Sequence, residues 1–152
     1  MPHIIVEYSA NIRGQIGPEN LIQRVHDAAL RTGVFPIGGT RTRAAERSCY
    51  RIADGHPDNA FVHIVLRIGH GRDLETRRQA AEEIFHDVCQ FLEPLYQRTP
   101  LGISLEVQEI DPAVSVATIS SRFESGRQAA LIRVTQAAAR EIERALRDSN
   151  GG

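Results

Sequence analysis

The sequence contains no lysine and no tryptophan, so every one of its 18 basic residues is an arginine. Aromatic residues make up only 5% of the chain, and its core must therefore be built from aliphatic side chains. The formal net charge of -1 leaves no excess of positive charge, which argues against a dedicated nucleic-acid binder. Arginine suits two-point binding of carboxylates, although a genome rich in G and C produces the same bias and is the simpler explanation.

Cysteines are few, and long apolar runs and metal-ligand spacings are lacking. The two cysteines, Cys49 and Cys89, do not make a disulfide framework and are interpreted as small buried apolar residues. No apolar run reaches the length of a membrane span, and residues 1–6 lack the basic start and cleavage site of a signal peptide. We therefore expect a cytoplasmic protein with no membrane partner, no nucleic-acid partner and no bound metal.

The order strand, helix, strand occurs twice along the chain and forms a weak internal repeat. The predicted elements are a strand over 2–8, a helix over 17–33, an extended segment over 41–52, a strand over 60–68, a helix from 73 to near 100 and a strand over 103–110. Two pseudo-repeated βαβ units that share a four-stranded sheet, with both helices on one face, make a two-layer α+β domain.

This domain is predicted to occupy residues 2–121, followed by a C-terminal extension over 122–152. The extension contains an amphipathic helix over 127–147, with apolar residues on one stripe. The sheet face without helices consists of strands that look too apolar to face water. We therefore expect that face to be buried in an oligomer.

Pro2 is the first candidate for chemistry. A second-position proline allows removal of Met1, which would leave a free secondary amine. An α-amino group has an ordinary pKa of about 8, and burial or nearby cations lower it toward neutral pH. The apolar strand that starts directly after Pro2 would hold this amine at the edge of the core, where most chain ends fray.

Arg41 and Arg72 are the next candidates. Arg72 lies on the loop between strand and helix in the second unit, and Arg41 follows a double-glycine loop at a strand start. Arg43 lies two residues beyond Arg41 and therefore on the same face, where it is a second ligand or, as we favour, a support. In a chain rich in arginine, each of these is also explained as a solvated charge.

Three histidines lie near these candidates. His63 is inside an apolar strand and is interpreted as a core histidine with a hydrogen-bond partner. His70 beside Arg72 is either at the site or exposed in its loop, and His3 follows Pro2 directly.

Several segments together resemble the tautomerase superfamily, and within it the 5-carboxymethyl-2-hydroxymuconate Δ-isomerase family. The matching segments are 2–13, 32–43, 53–55, 60–63 and 67–72, so the resemblance extends from residue 2 to about 110. It implies a tautomerase or MIF-like fold and a homotrimer whose sheets face a central axis. It also implies a cofactor-independent isomerase of aromatic-compound catabolism, in the homoprotocatechuate pathway.

Carried over to this chain, the resemblance makes Pro2 the base and acid that shuttles a proton. Arg41 and Arg72 would hold substrate carboxylates and polarise the 2-oxo group. The reaction would convert a 2-hydroxymuconate-type dienol into its 2-oxo-enoate. Beyond about Ser121 the resemblance ends, and the helix over 127–147 looks like an addition.

Two other functions stay open. One is a related tautomerase that acts on phenylpyruvate-like or halogenated acids, since a proline amine serves several reactions. The other is a trimeric binding module without catalysis, in which Pro2 is incidental. A retained Met1 would favour the binding module.

Overall fold

The computed structural model describes residues 1–117, so the predicted helix over 127–147 and the domain boundary at 121 lie outside the described residues. Four strands and two long helices form the fold. The strands are β1 (His3–Ser9), β2 (Arg41–Arg47), β3 (Ala60–Gly69) and β4 (Leu101–Ile110). The helices are α1 (Arg13–Ile16), α2 (Pro18–Arg31) and α3 (Leu74–Tyr96), of which α1 is a single turn.

The sheet is mixed, with the strand order β2-β1-β3-β4. β1 pairs with β2 in parallel and β3 pairs with β4 in parallel, while β1 and β3 are antiparallel. Each parallel pair is joined through a long helix. The structure therefore confirms the two pseudo-repeated βαβ units and the α+β class.

Both long helices cover one face of the sheet and enclose an aliphatic core. Every second residue of β1 and β3 points into this core, as the period of an extended strand requires. The helices bury one stripe each toward the sheet. The largest fully buried side chains are Ile4, Ile12, Leu21, Ile64, Leu66, Ile68, Ile84, Leu92, Val6, Val25, Val62 and Val88.

The opposite face, called the open face from here on, is less apolar than predicted. Its apolar side chains include the half-buried Ile5, Phe61 and Val65, but polar side chains such as His3 and Glu7 alternate among them. Four apolar residues of β4, Leu101, Ile103, Leu105 and Val107, belong to the covered face. The prediction overstated how apolar this face is. β1 and β3 look continuously apolar in sequence, but several of the residues that point to the open face are charged side chains or histidines.

The structure departs most clearly from the predicted elements in two segments. β2 ends at Arg47 rather than at Ile52, because its partner β1 ends at Ser9, which pairs with Arg47. Beyond that point β2 has no strand to bond. Residues 10–16, between the predicted strand over 2–8 and the predicted helix over 17–33, form a 3-10 turn and α1, and these turns bury Ile12 and Ile16.

The ends of the long helices follow their local sequence. Gly17 has φ 55°, a left-handed conformation that glycine adopts without strain, and Pro18 then occupies the first turn of α2. Asp73 caps α3 by accepting a hydrogen bond from the Thr76 backbone N–H at 2.8 Å. No helix among residues 1–117 is long and apolar enough to cross a membrane.

Candidate active site

The topology brings the start of the chain to the residues predicted from sequence. His3 pairs with Arg41 in the parallel ladder and with Arg67 in the antiparallel ladder. The first residues of β1 and β2 and the last residues of β3 therefore lie at the same end of the sheet, called the Pro2 end below. The loop that carries Arg72 begins directly after β3, at this same end.

Pro2 is buried and held from two sides. Its carbonyl oxygen accepts a hydrogen bond from the Arg41 backbone N–H at 3.1 Å. Its ring lies against Gly39, where a Cβ atom would be 3.7 Å from the Pro2 Cδ and 3.3 Å from the Pro36 Cγ. Glycine at position 39 therefore allows the loop to close over the proline ring.

Arg41 extends from β2 toward the same loop. Its Nη1 donates to the Gly38 carbonyl oxygen at 3.0 Å, and its side chain is otherwise exposed. A guanidinium group has five N–H donors, so this single bond leaves most of them available for an anion.

Arg72 is half-buried and approaches this loop from the other side. Its Nη1 donates to the Gly69 carbonyl oxygen at 3.2 Å and its Nη2 to the Val34 carbonyl oxygen at 3.4 Å. The guanidinium carbon lies 5.6 Å from the centre of the Phe35 ring, within the range of a cation–π contact. Phe35 was not predicted from the sequence, where its only signal was an aromatic residue next to a Pro and Gly loop.

One short loop thus contacts all three predicted site residues. This loop, residues 34–40, is contacted by Arg72 near its start and by Arg41 and Pro2 near its end. It is held by its own hydrogen bonds, because the Pro36 carbonyl accepts from the Thr40 N–H at 3.1 Å and from the Thr40 hydroxyl at 2.9 Å. The structure brings Pro2, Arg41 and Arg72 together around a rigid turn.

Arg43 and His3 form a second contact beside them on the open face. The Arg43 Nη1 donates to the His3 Nδ1 at 3.3 Å. Burial is the largest cause that lowers the pKa of His3, and the positive charges of Arg43, the terminal amine and Arg41 lower it further. The ring is therefore neutral at pH 7, and this end of the sheet has a positive potential.

The other candidates lie outside this group. His63 is half-buried on the open face rather than in the core, and its Nδ1 is 2.8 Å from the Ser104 hydroxyl. The predicted hydrogen-bond partner is present, but the predicted core position was wrong. His63 points to the open face because it alternates along β3 with the residues that point into the core. His70 is exposed, with its Nδ1 3.4 Å from Glu109.

The cysteines divide between two environments. Cys89 on α3 is half-buried, and burial raises the pKa of its thiol. Cys49 is exposed, so the prediction of a buried residue was wrong there, because β2 stops before it. Among residues 1–117, no three His, Cys, Asp or Glu side chains are grouped as a metal site would require.

Solved structures with the same fold include a symmetric trimer of wild-type fused 4-OT. It shares 17% identity and a TM-score of 0.58, covering 82% of this chain and 99% of that one. The fold of this chain is the tautomerase fold.

Closer relatives define the family. A family model described as 5-carboxymethyl-2-hydroxymuconate isomerase matches residues 2–123. The 5-carboxymethyl-2-hydroxymuconate Delta-isomerase of Escherichia coli is 38% identical over 115 residues, which cover 76% of this chain and 91% of that protein. The crystal structure of a 5-carboxymethyl-2-hydroxymuconate isomerase from Deinococcus radiodurans R1 is 31% identical with a TM-score of 0.72, covering 78% and 90%. The chain belongs to the 5-carboxymethyl-2-hydroxymuconate isomerase family, and it is an isomerase.

Proposed function

We propose that this isomerase ketonises a 5-carboxymethyl-2-hydroxymuconate-like dienol, with the amine of Pro2 as its acid–base catalyst. The substrate class comes from the names of its relatives in the family. The observation that carries the role of Pro2 is its fixed position between Arg41 and the loop over residues 34–40. The amine is free only after Met1 is removed, since Met1 otherwise holds the nitrogen in a peptide bond.

The proposed reaction moves one proton and changes no atom count. The neutral Pro2 amine accepts the proton of the 2-hydroxyl group, and the oxygen electron pair forms the 2-oxo group. The conjugated double bonds shift by one position, and the far end of the diene takes the proton back from Pro2. A base whose pKa is close to the working pH contributes roughly 10²- to 10⁴-fold to such a transfer.

Arg41 and Arg72 serve the same reaction through their charge. Each can bind a planar carboxylate through two N–H donors. Positive charge beside the dienolate also stabilises the negative charge that develops on oxygen during the transfer. The same cations favour the neutral form of the Pro2 amine. Arg43 is assigned a supporting role, because its guanidinium group contacts His3 rather than the loop.

We also propose that the enzyme is a homotrimer in the cytoplasm. A relative of the same fold is described as a symmetric trimer. The half-buried Ile5, Phe61 and Val65 of the open face offer a surface for a second copy. A copy seated on this face would adjoin the exposed Arg41 and help to enclose the site. Loss of the initiator methionine is the only processing that this proposal needs.

Two measurements test the role of Pro2. Mass spectrometry of the purified protein should show a chain that begins at Pro2. Pro2→Ala, which replaces the secondary amine by a primary one, should lower kcat for 5-carboxymethyl-2-hydroxymuconate by roughly 10²-fold or more. The matched control is Pro57→Ala, an exposed proline in the loop after β2, which should keep full activity.

Other outcomes would redirect the assignment. Full activity of Pro2→Ala would remove Pro2 from the mechanism. Retained Met1 together with no turnover would favour a trimeric binding module. Turnover of phenylpyruvate enol or of halogenated acids, but not of the dienol, would indicate a related tautomerase with a different substrate.

A further inference from the structure

The loop that carries Arg72 has little packing of its own. It consists of residues 70–73, called the Arg72 loop from here on, and none of these four residues is buried. Gly71 has φ 110°, and a Cβ atom added there would meet no atom within 4 Å among residues 1–117 outside its chain neighbours. Glycine has the greatest backbone freedom of all residues. Contacts from other elements must therefore fix the path of this loop.

One carboxylate connects to both ends of the Arg72 loop. Glu109 lies near the end of β4, which runs beside the end of β3. Its Oε1 is 3.4 Å from the Nδ1 of His70, the first residue of the loop. Its Oε2 accepts a hydrogen bond from the Arg77 Nη1 at 2.7 Å. The Arg77 Nε in turn donates to the carbonyl oxygen of Asp73, the last residue of the loop, at 3.4 Å.

The stronger of these two connections is partly shielded from water. The side chains of Glu109 and Arg77 are only 28% and 25% exposed, whereas that of His70 is 67% exposed. Charges attract more strongly where less water surrounds them. The connection through Arg77 therefore contributes more to holding the loop than the contact with His70.

Arg72 itself depends on the position of its loop. Its guanidinium group donates to the Gly69 and Val34 carbonyl oxygens at 3.2 and 3.4 Å, at or beyond the upper end of the usual range. These bonds alone hold the side chain weakly. Its partners are two carbonyl groups and the Phe35 ring, so its charge is left available for the substrate.

We propose that Glu109 is a positioning residue of this isomerase. It fixes the Arg72 loop on both sides of Arg72 and thereby directs the guanidinium group to the substrate carboxylate beside Pro2. The inference rests on the proposed function, which assigns that carboxylate to Arg72. Glu109 does not touch the substrate, and Arg77 offsets its negative charge.

Steady-state kinetics with 5-carboxymethyl-2-hydroxymuconate test the proposal. Glu109→Ala should raise KM roughly 2- to 30-fold, the range for loss of two partly exposed ion pairs, and should change kcat by less than about 2-fold. Glu109→Gln keeps an oxygen that can accept from Arg77 and should therefore recover part of this loss. It also provides the measurement if the alanine variant does not fold.

The matched control is Glu46→Ala. Glu46 is the second-last residue of the edge strand β2, as Glu109 is of the edge strand β4. It is 30% exposed and pairs with Arg13 at 2.8 Å, but it lies at the end of the sheet away from Pro2. Its loss should leave KM unchanged.

A double substitution separates positioning from a structural role. In the Arg72→Ala background, Glu109→Ala should not raise KM further, because a residue that acts through Arg72 has no effect once that side chain is gone. The same rise of KM in both backgrounds would overturn the proposal. So would a KM of Glu109→Ala equal to that of the wild type.

Hydrogen exchange tests the loop without turnover. The amides of residues 70–73 should exchange faster in Glu109→Ala than in the wild type, and at the wild-type rate in Glu46→Ala. If the wild type turns over no dienol, or if Arg72→Ala leaves KM unchanged, the proposed function fails and this measurement decides the inference separately. Equal exchange in Glu109→Ala and the wild type would contradict it.

Discussion

Phe35 is the residue through which loop 34–40 orients the Arg72 side chain. Its ring is buried and lies beneath the Arg72 guanidinium group. Phe35→Leu keeps an apolar side chain but removes the aromatic face. Because cation–π contacts contribute about 0.5–2 kcal/mol, KM for the dienol should rise roughly 2- to 30-fold with little change in kcat. Steady-state kinetics provide the measurement.

The control for this substitution is Phe91→Leu. Phe91 is also partly buried against the core, but it lies on α3 beside the cleft far from Pro2. Both variants should lower the melting temperature, and only Phe35→Leu should change KM. Equal KM values in the two variants would show that Phe35 has a structural role alone.

His3 makes the stability of the fold depend on pH near neutrality. Its pKa is lowered in the folded chain, whereas the unfolded chain keeps the ordinary value of 6.5. The unfolded chain therefore binds more protons below about pH 6.5, and stability falls as the pH falls through that range. Urea unfolding between pH 5 and 7.5 should show a weaker pH dependence for His3→Gln than for the wild type.

His86→Gln is the matched control, since His86 is exposed on α3. It should follow the wild-type profile. The lowered pKa values of Glu7 and Asp73 belong to a more acidic range, below about pH 4.5, and do not overlap this window. A His3→Gln profile identical to that of the wild type would contradict the role of His3.

The sequence predicted the proline and the arginines of the candidate site but not its other residues. Pro2, Arg41 and Arg72 stand out by residue type and by their places at strand starts and loops, and the structure brings them together. Phe35 did not stand out. A loop aromatic gains its meaning from its contact with Arg72 and from the path of loop 34–40, which depend on tertiary packing.

At the level of secondary structure, one carboxylate links the two long helices. Asp87 on α3 lies 2.6 Å from the Arg24 Nε and 3.0 Å from the Arg31 Nη2, both on α2. The Arg24 contact has the distance of an ion pair but not the angle of a hydrogen bond, and the Arg24 Nε has no other partner among the described residues. Only 16% of the Asp87 side chain is exposed.

Asp87→Ala should therefore destabilise the fold, because it leaves two cations beside an empty, half-buried position. We expect a loss of about 1–2 kcal/mol in urea unfolding, the lower part of the range for such changes, since both guanidinium groups keep contact with water. Glu82→Ala, which removes an exposed pair with Arg78 on α3, should cost at most about 0.5 kcal/mol. Equal losses for the two variants would show that the contact between helices adds nothing.

Strand boundaries show where sequence patterns stop being informative. The pattern of β2 allowed an extended chain to Ile52, but a strand lasts only as long as a neighbour supplies hydrogen bonds. β1 turns away after Ser9, and β2 ends opposite it at Arg47. By contrast, the starts of α2 and α3 depend on local residues, Pro18 and Asp73. α2 begins at Pro18 and α3 at Leu74, next to the predicted starts at 17 and 73.

At the scale of the whole molecule, the open face is the surface on which copies of the chain meet in the proposed trimer. Ile5 and Val65 are register partners at the centre of that face, and both are only half-buried in the single chain. Charged and polar side chains surround them. A small apolar centre with a polar rim is typical of a specific interface between proteins.

Val65→Glu should therefore dissociate the proposed trimer, since it places a carboxylate in the centre of the interface, where no water remains to solvate it. Light scattering and native mass spectrometry should show a trimer for the wild type and a monomer for the variant. Turnover should be lost with the trimer, because a separated chain leaves Arg41 at the Pro2 end of the sheet exposed to water. Leu74→Glu, at a side chain 72% exposed at the start of α3, should leave both mass and activity unchanged. A Val65→Glu trimer, or an active wild-type monomer, would show that the open face is not the surface on which the site is completed.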